Sequence, residues 1–327
     1  MSAGRVGPSP GLAASKDYGL GADRGACEDC EMRLATISTP RGPRLHVRGQ
    51  NGHIDAAVTA GDDRLASLQA VLDAGDEAFD ALRHLEALDG TPVPEKDFLP
   101  AVPRPARIFC LGLNYAEHAL EGGRVVPSWP ECFLRTSSSV AAPFGDLVRP
   151  AISANLDYEG ELGIVIGKGG RQIPAPQALE SVAGFVVLND ASVRDWQRAG
   201  SQWTPGKNFD GTLPIGPEVV TTDEVDPDDL LLETRLNGQV MQSARTSDML
   251  VDVRRAIEFF STFTMLRPGD VIASGTPAGV GQARTPPVWL VPGDVVEVSI
   301  ETVGTIRNRV VAEQLECSGW PWLPPGR

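Results

Sequence analysis

Residues 157–167 have the sequence DYEGELGIVIG, and this stretch decides the fold. An uninterrupted apolar run from Leu162 to Ile166, closed by a glycine, is typical of a buried β-strand. Two glutamates, Glu159 and Glu161, stand at the entrance of the strand. Because side chains alternate along a strand, these two carboxylates point to the same face, about 7 Å apart along the backbone.

Two carboxylates that face one point beside an apolar strand repel each other unless a positive group lies between them. A hard divalent cation satisfies this need through oxygen ligands, which predicts Mg²⁺, with Mn²⁺ or Ca²⁺ as alternatives. The motif alone also permits a solvated strand entrance, in which both glutamates pair with arginine or water. Other parts of the chain have to decide between these interpretations.

Composition limits the classes of partner. The chain has 327 residues, a net charge of −14, a pI near 4.8 and a mean hydropathy of −0.11. This acidic balance argues against nucleic acids and anionic membranes, which bind basic surfaces. We find neither an apolar run of membrane-spanning length nor a signal peptide. Five scattered cysteines do not make a disulfide framework, which predicts a reduced, cytoplasmic protein; the role of the CxxC at Cys27 and Cys30 stays open.

The chain divides into four predicted segments. Residues 1–30 are rich in glycine, alanine and serine, which predicts a flexible tail. Residues 31–91 are predicted to form a small N-terminal α/β domain, and the five prolines within residues 92–106 predict an extended linker. Residues 107–327 form the predicted catalytic domain. In the small domain, strands are predicted at Met32–Ser38, Leu45–Arg48 and Ile54–Val58, and helices at Leu65–Asp73 and Glu77–Leu88.

Short apolar runs bounded by glycine and proline dominate the catalytic domain, which indicates a mainly β or α+β fold with few helices. One helix is predicted at Asp248–Leu266 from apolar residues three or four positions apart, with Ser247 or Asp248 at its start. The chain lacks βαβ alternation, which argues against a dinucleotide-binding fold. The predicted strands are Ile108–Leu111, Cys132–Leu134, Leu162–Ile166, Val182–Asn189, Leu231–Leu236, Val271–Ser274 and Val295–Ile300.

Polar residues near strand ends are the candidates for a site. His118 lies in a short helix after a strand, and Glu121 shares its helical face, so this carboxylate can orient the imidazole as a general base. The pair has an equally simple interpretation as a surface contact. Asp190 ends an apolar strand, where it can join Glu159 and Glu161 as a third oxygen ligand.

Four further residues add polar groups. Arg194 and Gln197 lie in a helical turn directly after the strand that ends at Asp190. Lys207 lies in a loop between proline, glycine and aromatic residues. The sequence SGTPAGVG at residues 274–281 follows a strand, and its small residues let backbone N–H groups and the Thr276 hydroxyl approach a ligand closely.

Five motifs, taken in order, resemble the fumarylacetoacetate hydrolase superfamily. The resemblance covers residues 107 to about 312, and it implies a rolled, mixed β-structure that is commonly a homodimer, preceded by a variable N-terminal part. The motifs are Gly-x-Asn-Tyr-x-x-His-x-x-Glu at 112–121, Asp-Tyr-Glu-x-Glu-Leu at 157–162, Asn-Asp-x-Ser-x-Arg-Asp at 189–195, Gly-Lys-x-Phe-Asp at 206–210 and Ser-Gly-Thr-Pro-x-Gly-Val-Gly at 274–281.

The resemblance implies roles for individual residues. Glu159, Glu161 and Asp190 would hold a divalent metal ion, usually magnesium or manganese. His118 and Glu121 would activate water or move a proton, and His118 would lie on a lid helix that becomes ordered when substrate binds. Lys207 would act in catalysis beside them. The residues implied to contact substrate are Tyr115, Arg135, Arg194, Gln197 and Thr276.

Arg135 marks a departure from the family pattern. Many members carry Phe-x-Lys-Pro after the lid, whereas this chain has Phe133-Leu134-Arg135-Thr136. Arginine keeps the positive charge but presents a planar fork in place of a point charge. The identity of the substrate therefore stays open.

The predicted reaction is metal-dependent hydrolysis of a carbon–carbon bond in a β-diketo acid or an acylpyruvate. His118 would activate the attacking water, while Lys207 and Arg194 would stabilise oxyanion charge. The same chemistry serves decarboxylation of oxaloacetate-type acids, and isomerisation or decarboxylation of hydroxymuconate-type diacids in the catabolism of aromatic compounds. No motif separates these reactions. A non-catalytic binding protein on the same fold is the alternative from another class.

Overall fold

The computed structural model describes residues 32–223 and 225–314. The predicted tail at residues 1–30, which contains Cys27 and Cys30, lies outside the described residues. Strands outnumber helices in the described part, and the predicted mainly β, α+β class is confirmed.

Strands and helices are numbered in chain order. The strands are β1 Arg33–Thr39, β2 Gly42–Gly49, β3 Gly52–Asp55, β4 Ile108–Gly112, β5 Glu131–Arg135, β6 Val140–Ala141, β7 Leu147–Arg149, β8 Leu156–Asp157, β9 Gly160–Ile166, β10 Val182–Asn189, β11 Ser192–Val193, β12 Leu213–Val220, β13 Leu231–Leu236, β14 Gln239–Arg245, β15 Val271–Ala273, β16 Val295–Ile300 and β17 Gly304–Ala312. The helices are α1 Ala56–Ala60, α2 Leu68–Ala74, α3 Asp76–Arg83, α4 Ala116–Glu121, α5 Arg194–Gln197, α6 Thr204–Lys207 and α7 Val253–Phe263.

A ten-stranded sheet forms the centre of the described structure. Its order is β3-β2-β1-β12-β10-β9-β15-β4-β5, and β6 pairs with β12 outside this path. A five-stranded sheet has the order β14-β13-β16-β17-β7, and β8 pairs with β11. Most pairs are antiparallel, but β15 with β4, β6 with β12, and β17 with β7 are parallel. Both larger sheets are therefore mixed.

Strand β9 contains the predicted apolar run Leu162–Ile166, and all seven of its residues are buried. Leu162 and Ile164 belong to the same core cluster as Ile257 and Phe260 of α7. Val165 belongs to the opposite core cluster, which also contains the apolar side chains of α2 and α3. Because both faces of β9 are covered, an apolar residue is required at nearly every position of the run.

The N-terminal region shares the main sheet. β1 pairs with β12 in antiparallel orientation, with Arg33 opposite Val220, and β2 and β3 extend that edge. Ala101 and Val102 of the predicted linker are buried in the core cluster that contains α2 and α3. The two predicted domains therefore lie on one continuous sheet, and the boundary at residues 92–106 stays a prediction.

One predicted strand is too long, and several strands lacked a prediction. The predicted strand Ile54–Val58 ends at Asp55, because the Asp55 side chain accepts a hydrogen bond from the Val58 N–H and starts α1. The short strands β6, β7, β8 and β11 have no counterpart among the predicted strands, and neither do the longer β12, β14 and β17. Prolines interrupt the apolar pattern in β12, and polar residues do so in β14 and β17.

The predicted helix Asp248–Leu266 is shorter in the structure. It begins at Val253, because Asp252 is the residue whose side chain caps it, through the Arg255 N–H at 2.8 Å. The predicted cap, Ser247 or Asp248, lies instead in a separate 3₁₀ turn. No helix within residues 32–223 and 225–314 is long and apolar enough to cross a bilayer.

A buried ion cluster joins β2 and β3 to β12. Glu218 of β12 is 1% exposed and accepts hydrogen bonds from His53 Nε2 at 2.8 Å and from Arg48 at 2.8 and 2.9 Å. Burial favours the neutral acid, but His53 and Arg48 outweigh burial and hold the pKa of Glu218 below its ordinary value. The ionised carboxylate therefore stabilises the fold above the pKa of the unfolded glutamate. This contribution is lost as the pH falls through the folded pKa.

We expect Glu218→Gln to lower the free energy of unfolding at neutral pH by about 1.5–3 kcal/mol, because the Arg48 guanidinium and the His53 N–H lose a charged acceptor. Glu95→Gln is the matched control, since the exposed pair of Glu95 with Arg307 contributes about 0–1 kcal/mol. Urea unfolding measures both variants. The loss caused by Glu218→Gln should shrink as the pH falls below about 4. A loss that does not change with pH would contradict this role of the carboxylate.

Candidate active site

A cavity of about 170 Å³ opens where β9 and β10 meet α4, α5, α6 and the loop after β15. Segments that lie far apart in the sequence supply its walls, as the positions of the candidate residues at strand ends predict. The predicted site residues that line this cavity are His118, Glu159, Glu161, Asp190, Arg194, Gln197, Lys207 and Thr276.

Strand register brings the three predicted metal ligands together. β9 and β10 are antiparallel, with Glu161 opposite Leu188. Asp190, directly after β10, donates its N–H to the Glu159 carbonyl at 2.8 Å. One carboxylate oxygen from each of Glu159, Glu161 and Asp190 lies within 4.8 Å of the others, and all three side chains are buried.

Lys207 and Arg194 neutralise part of this negative charge. The Lys207 ammonium contacts the carboxylates of Glu159 and Asp190, and Arg194 lies 2.7 Å from Glu159. α6 can bring Lys207 this close because Gly206 has no side chain. A Cβ on Gly206 would lie 2.3 Å from the backbone nitrogen of the last residue of α5. The close approach of two short helices therefore places a cation between two carboxylates.

The two glutamates differ in their ionisation. Burial favours the neutral form of Glu159, but Arg194 and Lys207 outweigh burial and lower the pKa of Glu159 below its ordinary value. Within the described ranges no cation contacts Glu161, which accepts a hydrogen bond from the Gly275 N–H at 2.9 Å. Burial, together with the charge of Asp190, raises the pKa of Glu161 well above its ordinary value.

This donor set fits a divalent metal ion. Buried carboxylate oxygens at this spacing are the ligands that Mg²⁺ and Mn²⁺ prefer. Within the described residues no cation contacts Glu161, and an ion held by Glu159, Glu161 and Asp190 would supply the positive charge that an ionised Glu161 lacks. Lys207 would then share two of its carboxylate partners with the ion.

His118 and Glu121 form the predicted pair on α4. Nδ1 of His118 lies 2.8 Å from Oε1 of Glu121, and because an ionised carboxylate only accepts, Nδ1–H donates and Nε2 is the basic nitrogen. The second oxygen of Glu121 accepts the Gly279 N–H at 2.8 Å, which ties α4 to the loop after β15. His118 is 7% exposed and lines the cavity. The simpler interpretation of the pair as a surface contact is therefore wrong.

Three of the predicted substrate contacts line the cavity. Gln197 accepts a hydrogen bond from Arg194 through Oε1 at 3.0 Å, so its amide N–H groups are the end that can donate to a ligand. The Thr276 hydroxyl donates to the Gly160 carbonyl at 2.9 Å and accepts from Gln242 at 2.7 Å. Thr276 therefore links β9 to β14 at the edge of the cavity.

Arg135 and Tyr115 do not line the cavity. The Arg135 side chain is fully buried and contacts Asp190, while its fork also donates to Thr212 at 2.6 Å. Tyr115 directly precedes α4, and its hydroxyl is buried with no hydrogen-bond partner among the described residues. The placement of Arg135 indicates that it holds and neutralises Asp190. Substrate contact by either residue stays a prediction.

Asp157 and Gln282 belong to the site although no role was predicted for them. Asp157 is fully buried and accepts from Arg194 at 2.9 Å and from the N–H groups of Gly281 and Gln282 at 2.8 and 3.1 Å. Gln282 lines the cavity, and its side-chain oxygen is buried without a partner among the described residues. Asp157 could have been predicted as a site residue, because it lies two positions before Glu159. The sequence around Gln282 contains no such signal.

Known proteins are similar to this chain in sequence and in fold. Residues 107–311 match the family model described as fumarylacetoacetate (FAA) hydrolase C-terminal. The chain is 41% identical over 288 residues to a mitochondrial oxaloacetate tautomerase of Bos taurus, which covers 86% of this chain and 92% of the relative.

Two solved structures are also similar. The 5-carboxymethyl-2-hydroxymuconate delta-isomerase from Mycobacterium smegmatis is 32% identical to this chain, with a TM-score of 0.69. The match covers 86% of this chain and 100% of the isomerase. Fumarylpyruvate hydrolase from Pseudomonas aeruginosa, in complex with Mn²⁺ and pyruvate, is 33% identical to this chain, with a TM-score of 0.58. The match covers 63% of this chain and 90% of the hydrolase. By their names the three similar proteins are a tautomerase, an isomerase and a hydrolase.

We expect Mn²⁺ to raise the melting temperature of the wild-type protein and to have little effect on Glu161→Gln. An ion that binds only the folded state stabilises by about 2.7 kcal/mol at a hundredfold excess over its Kd. Without metal, Glu161→Gln should be about as stable as wild type, because no cation loses a partner. Glu159→Gln is the contrasting variant, since it leaves Lys207 and Arg194 short of a carboxylate and should destabilise the metal-free protein. Equal Mn²⁺ shifts in wild type and Glu161→Gln, measured by scanning fluorimetry, would contradict the ligand assignment.

Proposed function

This chain belongs to the fumarylacetoacetate hydrolase family, and from that premise we propose that it interconverts the keto and enol forms of a 2-oxo diacid of the oxaloacetate type. The observation that supports this most is the placement of His118. A buried imidazole faces a cavity of carboxylates and cations, and its Nδ1 is held by Glu121. Such a group can take a proton and return it, which is the whole of a tautomerisation.

The proton transfer can be written with the residues of this chain. Nε2 of His118 takes a proton from the carbon next to the substrate carbonyl; the electron pair of the broken C–H bond forms the C=C bond, and the π pair of the carbonyl moves to its oxygen. The same nitrogen then returns the proton to that oxygen, which gives the enol. Glu121 keeps the ring in the required tautomer and stabilises the imidazolium between the two steps.

Other residues bind the substrate and stabilise the enolate that forms during the proton transfer. The Lys207 ammonium, whose pKa is raised because Asp190 and Glu159 outweigh burial, stabilises developing oxyanion charge. Gln197 donates to a substrate oxygen through its amide, and the unpartnered oxygen of Gln282 accepts from the enol hydroxyl. A magnesium or manganese ion held by Glu159, Glu161 and Asp190 would supply Lewis-acid polarisation of the carbonyl, worth several kcal/mol.

Hydrolysis of a carbon–carbon bond is the second candidate. It was the reaction predicted from the sequence, and the similar hydrolase from Pseudomonas aeruginosa supports it. The same Nε2 would then take its proton from water in place of carbon. We rank tautomerisation first, because the oxaloacetate tautomerase is similar over a larger share of this chain and at higher identity. The homodimer and the cytoplasmic location stay proposals from the sequence.

We expect His118→Ala to lower the rate of enol-to-keto conversion of oxaloacetate by about 10²–10⁴, because the proton loses its carrier. The decay of enol absorbance in the ultraviolet measures this rate. His84→Ala is the matched control, since His84 is exposed at the end of α3. Mn²⁺ affinity, measured by calorimetry, should be the same in all three proteins. Near-normal turnover by His118→Ala would show that another group is the base.

The competing reactions are separated by their products. Oxygen from labelled water in the products of an acylpyruvate would establish hydrolysis, and release of carbon dioxide from oxaloacetate would establish decarboxylation. Wild-type protein that binds Mn²⁺ and turns over none of these acids would instead support a binding protein. Each of these results, without an accelerated enol–keto exchange, would overturn the proposed reaction.

A further inference from the structure

Two arginines without an assigned role line the same cavity. Arg124 follows α4, which carries His118, and its backbone N–H donates to the Ala119 carbonyl at 2.9 Å. Arg198 follows α5, which carries Arg194, whose carbonyl accepts the Arg198 N–H at 3.1 Å. Both arginine side chains are exposed. They therefore stand at the mouth of the cavity, at the ends of the two helices that carry catalytic and substrate-binding candidates.

Neither arginine has an acidic partner within the described ranges of the chain. The deeper cations differ, since Arg194 and Lys207 each contact carboxylates. Arg198 also lies within electrostatic reach of Arg194 and Arg124, and burial together with these like charges lowers its pKa. Like charges at one cavity mouth repel each other, and an anion between them removes the repulsion.

Arg124 is held in place by an aromatic ring. Its guanidinium lies over the ring of Trp203, 5.7 Å from the centroid, and Trp203 packs against Phe133 with centroids 5.5 Å apart. Gly112 makes room for this ring, since a Cβ there would lie 2.3 Å from it. Trp203 directly precedes α6, which carries Lys207. The outer arginine and the inner lysine are therefore positioned by one packed unit.

We propose that Arg124 and Arg198 together bind the second carboxylate of the substrate, and that this pair makes the site select 2-oxo diacids over 2-oxo monoacids. Arginine suits this task, because its planar fork matches the two oxygens of a carboxylate. The 2-oxo acid end would lie deeper, beside Lys207 and Gln197, where the proposed proton transfer takes place. This inference rests on the proposed function for the identity of the deeper end.

The test compares two ligands that share a 2-oxo acid end. Pyruvate has no second carboxylate, whereas 3,3-difluorooxaloacetate has one and, without hydrogen at C3, does not enolise. Calorimetry with the Mn²⁺-loaded protein should show that the diacid binds wild type roughly tenfold or more tightly than pyruvate. Arg124→Gln combined with Arg198→Gln should remove most of this preference while changing pyruvate affinity less than about twofold. The preference of wild type should also weaken with added salt, because the pair is exposed.

Arg41→Gln is the matched control, since Arg41 is an exposed arginine in the turn between β1 and β2. Its ligand affinities should equal those of wild type, and thermal unfolding checks that each variant is folded. A double variant that keeps the diacid preference, or that loses affinity for both ligands equally, would overturn the inference. A diacid preference without any enol–keto turnover would refute the proposed reaction alone. Wild-type protein that binds neither ligand would refute both.

Discussion

The balance of buried charges is the constraint on which this site depends. Four carboxylates and three cationic side chains meet at the end of two central strands, out of contact with bulk water. Each charge is tolerable only beside its partners, because an isolated ion in such surroundings would be neutralised or would destabilise the fold. The charged side chains are Asp157, Glu159, Glu161, Asp190, Arg135, Arg194 and Lys207. With more carboxylates than cations, the arrangement is suited to a further positive ion.

Much of this arrangement could be predicted from the sequence, because its signals are local. A doubly covered strand needs a continuous apolar run, which is why β9 is visible in the sequence, and the Glu159–Glu161 spacing follows from strand alternation. The His118–Glu121 spacing likewise follows from the helix period. Asp190 could be placed because it ends a second run of the same kind.

What the sequence could not supply are pairings across long distances. Arg135 contacts Asp190, a residue 55 positions away, and nothing near Arg135 indicates this partner. The start of α7 shows a smaller limit, since Asp248 and Asp252 are equally good caps by residue type, and only tertiary packing selects Asp252. The reaction type is undetermined for a related reason. One imidazole that moves a proton serves tautomerisation and hydrolysis alike, and the difference lies in the molecule that it meets.

The hydrogen bond between Glu121 and the Gly279 backbone has a consequence for the position of the proposed base. The Glu121 carboxylate accepts hydrogen bonds both from the loop after β15 and from the His118 imidazole. A displacement of α4 from that loop would therefore also displace His118 from its position in the cavity. The two hydrogen bonds of Glu121 therefore couple the position of α4 on the loop to the position of the proposed base in the cavity.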